Sequence, residues 1–380
     1  MSVLFPGQVI GILGSGQLGR MLAYEARRLG YGVRVYSPER NTPAGAVSDV
    51  ETVGDWDDRE RVEAFASGCD VITYEFENVP TETAGLCAKH CPVHPGPHVL
   101  QVAQDRLREK QAAARLGFSV ADFRSVESSA DLEAAIRDLG AGVLKTARSG
   151  YDGKGQQSVE PSDDPSRVWQ RTGGVRCVYE RRVPFDAEVS VVVARSALGR
   201  TVTYPVIRNV HRNRVLDVSV CPAGLGAKVE EAARRTAVGM AEGLDVVGVA
   251  CVEMFVVGDD VLMNEVAPRP HNSGHWSLDA ADVSQFEMQL RAVCGLPLVE
   301  PQLRAPCAMA NLLGEIWLES GPNGPRWDAV LSRPRTRLHL YGKTEPRPLR
   351  KMGHVTVWAE DTAEAERQVL DARTSLVGSP

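Results

Sequence analysis

The stretch VACVEMFVVGDDVLMNEVAPRPHNSGH, residues 249–275, largely decides the fold because it predicts a β-hairpin that runs into a polar loop. Apolar and β-branched residues fill both halves of the hairpin, and Gly258-Asp259-Asp260 between them has the composition of a turn. If this turn is a three-residue loop, Val257 on the first strand faces Val261 on the second. That register fixes which side chains of the two strands lie opposite each other.

The same register places Glu253 and Glu265 directly opposite each other on one face of the hairpin. Like charges facing each other at Cβ separations of roughly 4.5–5.5 Å destabilise a sheet, so we expect a cation between them. Mg²⁺ is the natural candidate because it takes carboxylate oxygens and leaves positions for substrate phosphates. A register shifted by one residue would instead turn one glutamate to solvent.

The composition is that of an ordinary globular protein, with 43% apolar and 24% charged residues, and 380 residues suffice for two or three domains. A net charge of −6 gives no general electrostatic reason to bind nucleic acid or an anionic membrane. No apolar run is long enough to cross a bilayer, and residues 1–13 predict a first strand rather than a signal peptide. The eight cysteines are scattered without a Cys-x-x-Cys pair, so we expect a cytoplasmic protein without disulfides or a zinc ribbon.

The N-terminal part of the chain predicts a βαβ unit with a parallel sheet. The predicted elements are a strand at 9–13, a helix at 18–29, strands at 33–36 and 71–74, and a further helix at about 99–116. Ligands of such sheets bind at the carboxyl ends of the strands, which is where the Gly14 turn and Glu75 lie.

The turn Gly14-Ser15-Gly16-Gln17-Leu18-Gly19 fits the dinucleotide-binding fingerprint, because it follows a strand and opens a helix. Glu39 lies twenty residues beyond Gly19, but it comes after Pro38 instead of ending the second strand. Backbone amides at a helix N-terminus can bind any phosphate or sugar. The turn therefore predicts an anion site, and an NAD-dependent dehydrogenase is one alternative function.

A second glycine-rich loop, SGYDGKGQ at residues 149–156, follows a predicted strand that ends at Lys145. Its glycines allow the backbone to close over phosphates, with Lys154 and Lys145 as positive charges. Taken alone, however, the segment is more typical of a solvent-exposed hairpin turn.

Downstream of this loop, residues 178–183 predict a strand that ends at a connector, and Glu188 begins another strand. Such a connector can present backbone groups to an adenine edge, and a following carboxylate can accept both ribose hydroxyls. Taken alone, Glu180 and Glu188 are equally typical of ordinary surface charge. Their position between the glycine loop and the paired glutamates favours a nucleotide site.

These residues together resemble the ATP-grasp superfamily, and within it the N5-carboxyaminoimidazole ribonucleotide synthetases of purine biosynthesis. The resemblance covers nearly the whole chain and rests on GILGSGQLGRML (11–22), YEFENVP (74–80), Asp105-Arg106, SGYDGKGQ (149–156), Glu253 with Asn264-Glu265, and APRPHNSGHW (267–276). It implies α/β and α+β architecture in three parts. These are an N-terminal βαβ parallel-sheet domain (1–104), a central ATP-grasp domain (105–298) with a small flap subdomain at about 118–184, and a small β-rich C-terminal domain (299–380).

The resemblance also implies the residues of each subsite. Those implied to contact ATP are Arg106, Lys145, Gly150, Tyr151, Asp152, Gly153, Lys154, Gly155, Gln156, Glu180, Arg181, Arg182, Val183, Glu188, His211, Asn264 and Glu265. Mg²⁺ is implied to bind Glu253 and Glu265, in agreement with the hairpin argument. Those implied to contact the imidazole nucleotide or bicarbonate are Glu75, Tyr151, Asp152, Lys154, Arg269, Lys343, Arg350 and Lys351, and those implied to act in catalysis are Asp152, Lys154, Arg269 and Asn272.

Two of these assignments have ordinary structural alternatives. Arg269 can equally pair with a nearby carboxylate, because the guanidinium fork suits either partner. Without the resemblance, the basic run at residues 333–351 is typical of a solvated surface.

The implied reaction is the ATP-dependent carboxylation of 5-aminoimidazole ribonucleotide with bicarbonate through carboxyphosphate, which gives N5-carboxyaminoimidazole ribonucleotide, ADP and phosphate. A homodimer is also implied. Formate-dependent glycinamide ribonucleotide transformylase and biotin carboxylase share the metal and nucleotide residues, but HNSGHW and SGYDGKGQ favour the imidazole enzyme. A catalytically silent protein of this fold would have replaced Glu253 or Glu265, and both are present.

Overall fold

The N-terminal region is a four-stranded parallel sheet in the order β3-β2-β1-β4, which confirms the predicted βαβ architecture. The computed structural model describes residues 3–148, 150 and 155–377. The elements of this region are β1 (Val9–Leu13), α1 (Gln17–Arg28), β2 (Gly32–Ser37), β3 (Val50–Val53), α2 (Arg59–Ser67), β4 (Val71–Tyr74), α3 (Thr81–Cys87) and α4 (Pro97–Ala103). Helix α1 buries Leu18, Met21 and Leu22 in the core that covers one face of the sheet.

The predicted single helix at 99–116 is wrong, because two helices occupy this segment. Helix α4 ends at Ala103, and α5 (Arg106–Arg115) begins anew. The carboxylate of Asp105 accepts hydrogen bonds from the backbone amides of Leu107 and Arg108, at 3.1 and 3.3 Å. This N-cap starts the second helix and places Arg106 in its first turn.

The flap subdomain contains a four-stranded antiparallel sheet in the order β5-β8-β6-β7. Its elements are β5 (Phe123–Val126), α6 (Ser129–Leu139), β6 (Gly142–Thr146), β7 (Gln156–Val159), α7 (Pro165–Gln170) and β8 (Cys177–Arg181). Helices α6 and α7 share a small apolar core with these strands.

The central region continues with a large, mainly antiparallel sheet. Its elements are β9 (Ala187–Arg195), β10 (Thr201–Thr203), β11 (Ile207–Arg212), β12 (Val215–Cys221), α8 (Ala227–Gly243), β13 (Gly248–Val257), β14 (Asp260–Ala267), α9 (Ser277–Ala280) and α10 (Gln285–Val293). Strands β9 and β13 are apolar on both faces because α8 covers one face and α10 covers the other.

The C-terminal region extends the same sheet through the pairing of β12 with β15. Its elements are β15 (Cys307–Leu313), α11 (Gly314–Glu319), α12 (Trp327–Leu331), β16 (Thr336–Leu340), β17 (Lys351–Trp358) and α13 (Thr362–Thr374). The full sheet has the order β14-β13-β9-β11-β12-β15-β17-β16, and β10 pairs with β9. The boundary proposed between residues 298 and 299 stays a prediction. Within the described residues, no helix is both long and apolar enough to cross a membrane.

The hairpin of β13 and β14 pairs Glu253 with Glu265, as predicted, although the predicted loop length is wrong. The turn has two residues instead of three, so Val257 pairs with Asp260 and not with the following valine. A β-bulge at Asn264 then inserts one extra residue into β14 and brings the two glutamates back into register.

Candidate active site

A cleft of about 1430 Å³ opens where the N-terminal sheet, the flap, the hairpin of β13 and β14, and the C-terminal segment at 343–351 meet. Most of the site residues predicted from the sequence line it. They are Glu75, Arg106, Lys145, Gly150, Gln156, Glu188, His211, Glu253, Asn264, Glu265, Arg269, Asn272, Lys343, Arg350 and Lys351. Tyr151, Asp152, Gly153 and Lys154 lie outside the described residues.

The paired glutamates have different partners and different pKa shifts. Glu253 Oε1 lies 3.0 Å from His271 Nε2, and Glu265 Oε2 accepts from Arg106 at 2.9 Å. Burial, followed by the charge of Glu265, raises the pKa of Glu253 to about 7. Burial also opposes the ionisation of Glu265, but Arg106, together with the charges of Lys145 and Arg269, outweighs burial and lowers the pKa of Glu265. Two facing carboxylates of this kind are a donor set that suits Mg²⁺.

A second charged cluster lies beside the hairpin and consists of Lys145, Glu180 and Lys110. Glu180 Oε2 lies 2.9 Å from Lys145 Nζ and 3.1 Å from Lys110 Nζ, and all three side chains are buried. Burial disfavours the charged form of Glu180, but the two lysines outweigh it and lower its pKa to about 2. The pKa of Lys145 is also lowered, since burial and the neighbouring cations outweigh the single carboxylate that it shares. Lys145 Nζ lies 3.5 Å from Asn264 Oδ1, which connects this cluster to the hairpin.

Glu188 and His211, both implied by the resemblance to contact ATP, contact each other and line the cleft. His211 Nδ1 lies 2.8 Å from Glu188 Oε2. Burial lowers the pKa of His211, but the hydrogen bond to Glu188 and the charges of Glu188, Glu253 and Glu265 together outweigh burial and raise it overall. The two side chains therefore form a polar pair that lines the cleft.

Arg269 and Asn272 extend from the loop after β14 to the floor of the cleft. The Arg269 guanidinium donates from Nε to the carboxylate of Glu77 and from Nη1 to the Pro270 carbonyl at 3.1 Å. In the structure, Arg269 therefore pairs with the carboxylate of Glu77. The anion-binding role of Arg269 stays a prediction. Asn272 exchanges two amide hydrogen bonds with Asn311, at 2.6 and 3.0 Å.

The Gly14–Gly19 turn binds the carboxylate of Glu75 through its backbone amides. Gly16 N donates to Glu75 Oε1, and Gly19 N donates to Oε2 at 2.8 Å. A Cβ atom at Gly16 would lie 2.7 Å from Glu75 Oε1, so the glycine is needed for this close approach. The anion site predicted at this turn is therefore filled by the chain's own carboxylate, which removes the support for the dehydrogenase alternative.

The C-terminal basic residues also reach the cleft. Lys343 Nζ donates to the Lys351 carbonyl at 2.8 Å, and Arg350 donates to the Glu345 carbonyl at 2.7 Å. Both contacts lie within the segment at 343–351, which contributes Lys343, Arg350 and Lys351 to the lining of the cleft.

The connector residues of the flap do not present their charged side chains to the cleft. Arg181 pairs with Asp122 at 3.1 Å, and Arg182 pairs with Glu160 at 2.7 Å. A contact of these residues with ATP would therefore have to use the backbone. Their assignment, with those of Val183 and Gly155, stays a prediction.

Sequence reasoning missed the roles of Lys110 and Glu109 and the contact of His271 Nε2 with Glu253 Oε1. Lys110 follows Arg106 by four residues in α5, so this helical spacing could have placed both cations on one face. Glu109 accepts from the backbone amide of Val266 at 2.5 Å, and burial and then Glu265 raise its pKa to about 8. No local pattern indicates that contact, because the partner is 157 residues away.

Three family models match consecutive parts of the chain. They are a ribonucleotide synthetase preATP-grasp domain at residues 8–104, an ATP-grasp domain at 111–286, and a phosphoribosylaminoimidazole carboxylase C-terminal domain at 307–368.

Individual proteins match over nearly the full length. The N5-carboxyaminoimidazole ribonucleotide synthase of Bacillus subtilis (strain 168) is 40% identical over 373 residues, which cover 97% of this chain and 96% of that relative. An N5-carboxyaminoimidazole ribonucleotide synthetase solved as its ADP complex matches with a TM-score of 0.92 and 38% identity, over 97% of both chains. The Aspergillus clavatus synthase, solved with ADP and 5-aminoimidazole ribonucleotide, matches with a TM-score of 0.89 and 29% identity, over 98% of this chain and 100% of that one.

Proposed function

The chain belongs to the N5-carboxyaminoimidazole ribonucleotide synthase family of ATP-grasp ligases, and on that premise we propose how its residues carry out the reaction. The family reaction is the ATP-dependent carboxylation of 5-aminoimidazole ribonucleotide in purine biosynthesis. The finer proposal is that bicarbonate is the carbon source, that carboxyphosphate is the intermediate, and that Mg²⁺ binds between Glu253 and Glu265.

The observation that carries this proposal is the facing pair of glutamates at the edge of a cleft that also contains Arg106 and Lys145. Two carboxylates and several fixed cations in one cleft suit a nucleotide triphosphate and its metal ion. When bound, Mg²⁺ neutralises phosphate charge and orients the terminal phosphoryl group.

The first step needs positioning and charge neutralisation. An oxygen of bicarbonate attacks the γ-phosphorus of ATP, the bond to the ADP oxygen breaks, and carboxyphosphate forms. Lys145 and Arg106 hold the phosphates, and Arg269 holds bicarbonate and the transferred phosphoryl group. The position of Arg269 in the cleft wall, immediately after β14, supports this role.

The second step needs a site without water. Carboxyphosphate breaks into carbon dioxide and phosphate, and the exocyclic amine of the imidazole nucleotide attacks the carbon and loses a proton. The carbamate that forms is the product. We assign the exclusion of water to the glycine loop at 149–156, of which Gly150, Gly155 and Gln156 belong to the described residues.

The imidazole nucleotide binds on the C-terminal side of the cleft. Lys343, Arg350 and Lys351 surround its phosphate, and Glu75 orients its amine. The lining of one cleft by all four residues together with the paired glutamates supports this assignment.

Two further assignments complete the proposal. A homodimer follows from the resemblance to the family. A cytoplasmic location agrees with the eight cysteines, which are all free thiols.

A phosphate-release assay tests the proposed function. The full chain is incubated with ATP, Mg²⁺, bicarbonate and 5-aminoimidazole ribonucleotide, and each component is omitted in turn. We expect phosphate release to require both the imidazole nucleotide and bicarbonate, with labelled bicarbonate entering the carbamate. Phosphate release that depends on formate but not on the imidazole would overturn the proposal and favour the transformylase alternative.

A further inference from the structure

A continuous row of buried polar side chains runs beneath the cleft toward Glu253. Ser219 Oγ donates to Asn209 Oδ1 at 2.8 Å, and Asn209 Nδ2 donates to Ser190 Oγ at 2.8 Å. Ser190 Oγ lies 2.9 Å from Ser273 Oγ, in the loop that follows β14. These four residues, which we call the polar row, are each at most 5% exposed.

The polar row ends on the imidazole ring of His271. The Nδ1 atom of His271 lies 2.8 Å from Ser273 Oγ, and it accepts from the backbone amide of Ser273 at 3.3 Å. A backbone amide can only donate, so Nδ1 is the unprotonated nitrogen of this ring. The proton of neutral His271 is therefore on Nε2, which lies 3.0 Å from Glu253 Oε1.

Stability alone does not explain the polar row. Ser190 lies between Val189 and Val191 in β9, so the polar row interrupts an otherwise apolar part of this strand. Buried polar groups contribute little net stability even when fully satisfied, and replacing both partners by apolar groups can be neutral. Groups that orient the ligands of a metal ion are, by contrast, a common reason for such a network.

We propose that Asn209, Ser190 and Ser273 are positioning residues that hold His271 in its Nε2-protonated form and thereby aim Glu253 at its cation. This inference rests on the proposed function, in which Glu253 is a Mg²⁺ ligand. Nε2 of a neutral His271 lies 3.0 Å from one carboxylate oxygen of Glu253 and limits how that carboxylate can turn, without adding a positive charge. Glu253 then presents its other oxygen to the cation.

The direct test is the tautomer of His271 in the full chain without ligands. Histidine is labelled with ¹⁵N, and the His271 signals are assigned by their loss in His271→Gln. We expect a pyridine-type shift for Nδ1 and a pyrrole-type shift for Nε2. The opposite pattern would overturn the proposal, whatever the enzyme assay shows.

The functional test uses Ser273→Ala and Ser190→Ala. Ser273→Ala removes the shorter of the two contacts at Nδ1, the hydroxyl at 2.8 Å, and leaves only the backbone amide at 3.3 Å. We expect it to raise the Mg²⁺ concentration for half-maximal activity by about 10–100-fold and to weaken the preference for the Nε2-protonated tautomer, with a smaller effect for Ser190→Ala. In Ser273→Ala, the KM for ATP at saturating Mg²⁺ should change much less. Ser273→Thr keeps the hydroxyl, so it should restore the Mg²⁺ requirement of the wild type.

The matched control is Thr236→Val, because Thr236 is a buried hydroxyl in α8 that donates to the Ala232 carbonyl at 2.9 Å. This variant should leave the tautomer and the Mg²⁺ requirement unchanged. Loss of thermal stability in Ser273→Ala and Ser190→Ala, without any change in the tautomer or the Mg²⁺ requirement, would refute the positioning role. A protein with the expected tautomer but no phosphate release with bicarbonate and the imidazole nucleotide would refute only the proposed function.

Discussion

Replacing Glu180 with glutamine removes the one carboxylate that two buried lysines share. Lys145 Nζ and Lys110 Nζ lie 2.9 and 3.1 Å from Glu180 Oε2. Glutamine keeps the shape of the side chain but leaves both ammonium groups without their counter-ion. Removing one partner of a buried ion pair costs about 3–5 kcal/mol, so we expect Glu180→Gln to lose stability of this order.

The pKa of Glu180 gives a second measure of the same interaction. Burial raises the pKa, but the two lysines outweigh burial and lower it from 4.5 to about 2. At about 1.4 kcal/mol per pKa unit, this difference corresponds to roughly 3 kcal/mol. Because the folded-state pKa is depressed, the contribution is fully present above pH 4.5 and is lost as the pH falls through about 2. The stability difference between wild type and Glu180→Gln should narrow over this range.

The matched control is Lys110→Met, which removes one lysine and leaves Lys145 paired with Glu180. It deletes one hydrogen bond to a charged group, worth about 1.5–3 kcal/mol, and it also relieves the repulsion between the two lysines. Urea unfolding at pH 7 measures all three proteins. We expect Glu180→Gln to lose clearly more stability than Lys110→Met. Equal losses, or a Glu180→Gln protein as stable as wild type, would refute the reasoning.

Three further predictions concern the cleft. Gly16→Ala should displace the Glu75 carboxylate, because the new Cβ would lie 2.7 Å from Glu75 Oε1, and it should therefore raise the KM for the imidazole nucleotide. The control is Gly85→Ala, whose new Cβ would have no atom within 4 Å and which should leave this KM unchanged. Lys343→Ala should raise the KM for the imidazole nucleotide far more than the KM for ATP, and equal effects in steady-state kinetics would reject its phosphate role. Glu265→Gln should lower turnover by orders of magnitude with an unchanged circular dichroism spectrum, and unchanged activity at limiting Mg²⁺ would count against its role as a metal ligand.

The sequence predicted those features that depend on local pattern. Strands β1 and β4 coincide with their predictions because each is a short apolar run followed by turn residues. The pairing of Glu253 with Glu265 was also predicted, although the predicted turn length alone does not produce it. The turn is one residue shorter than expected, and the bulge at Asn264 compensates for it. Sequence alternation alone does not reveal a one-residue bulge.

Contacts between residues far apart in the chain could not be predicted in the same way. Arg269 pairs with Glu77 across 192 residues, and Ser190 contacts Ser273 across 83. Such pairs depend on how the N-terminal sheet, the central sheet and the loop after β14 pack together. The periodicity of a single segment carries no information about that packing. The helical spacing of Lys110 from Arg106 was visible in the sequence and could have placed the two cations on one face of α5, but it could not have shown the contact of Lys110 with Glu180 on β8.

The proposed function depends on a cation bound between the two facing glutamates, beside the terminal phosphate of the nucleotide. The most direct measurement is a crystal of the full chain with ADP and Mn²⁺, examined by anomalous scattering at the manganese edge. We expect an anomalous peak within coordination distance of carboxylate oxygens from both Glu253 and Glu265. Bound ADP with the manganese elsewhere, and with both carboxylates turned to solvent, would contradict it.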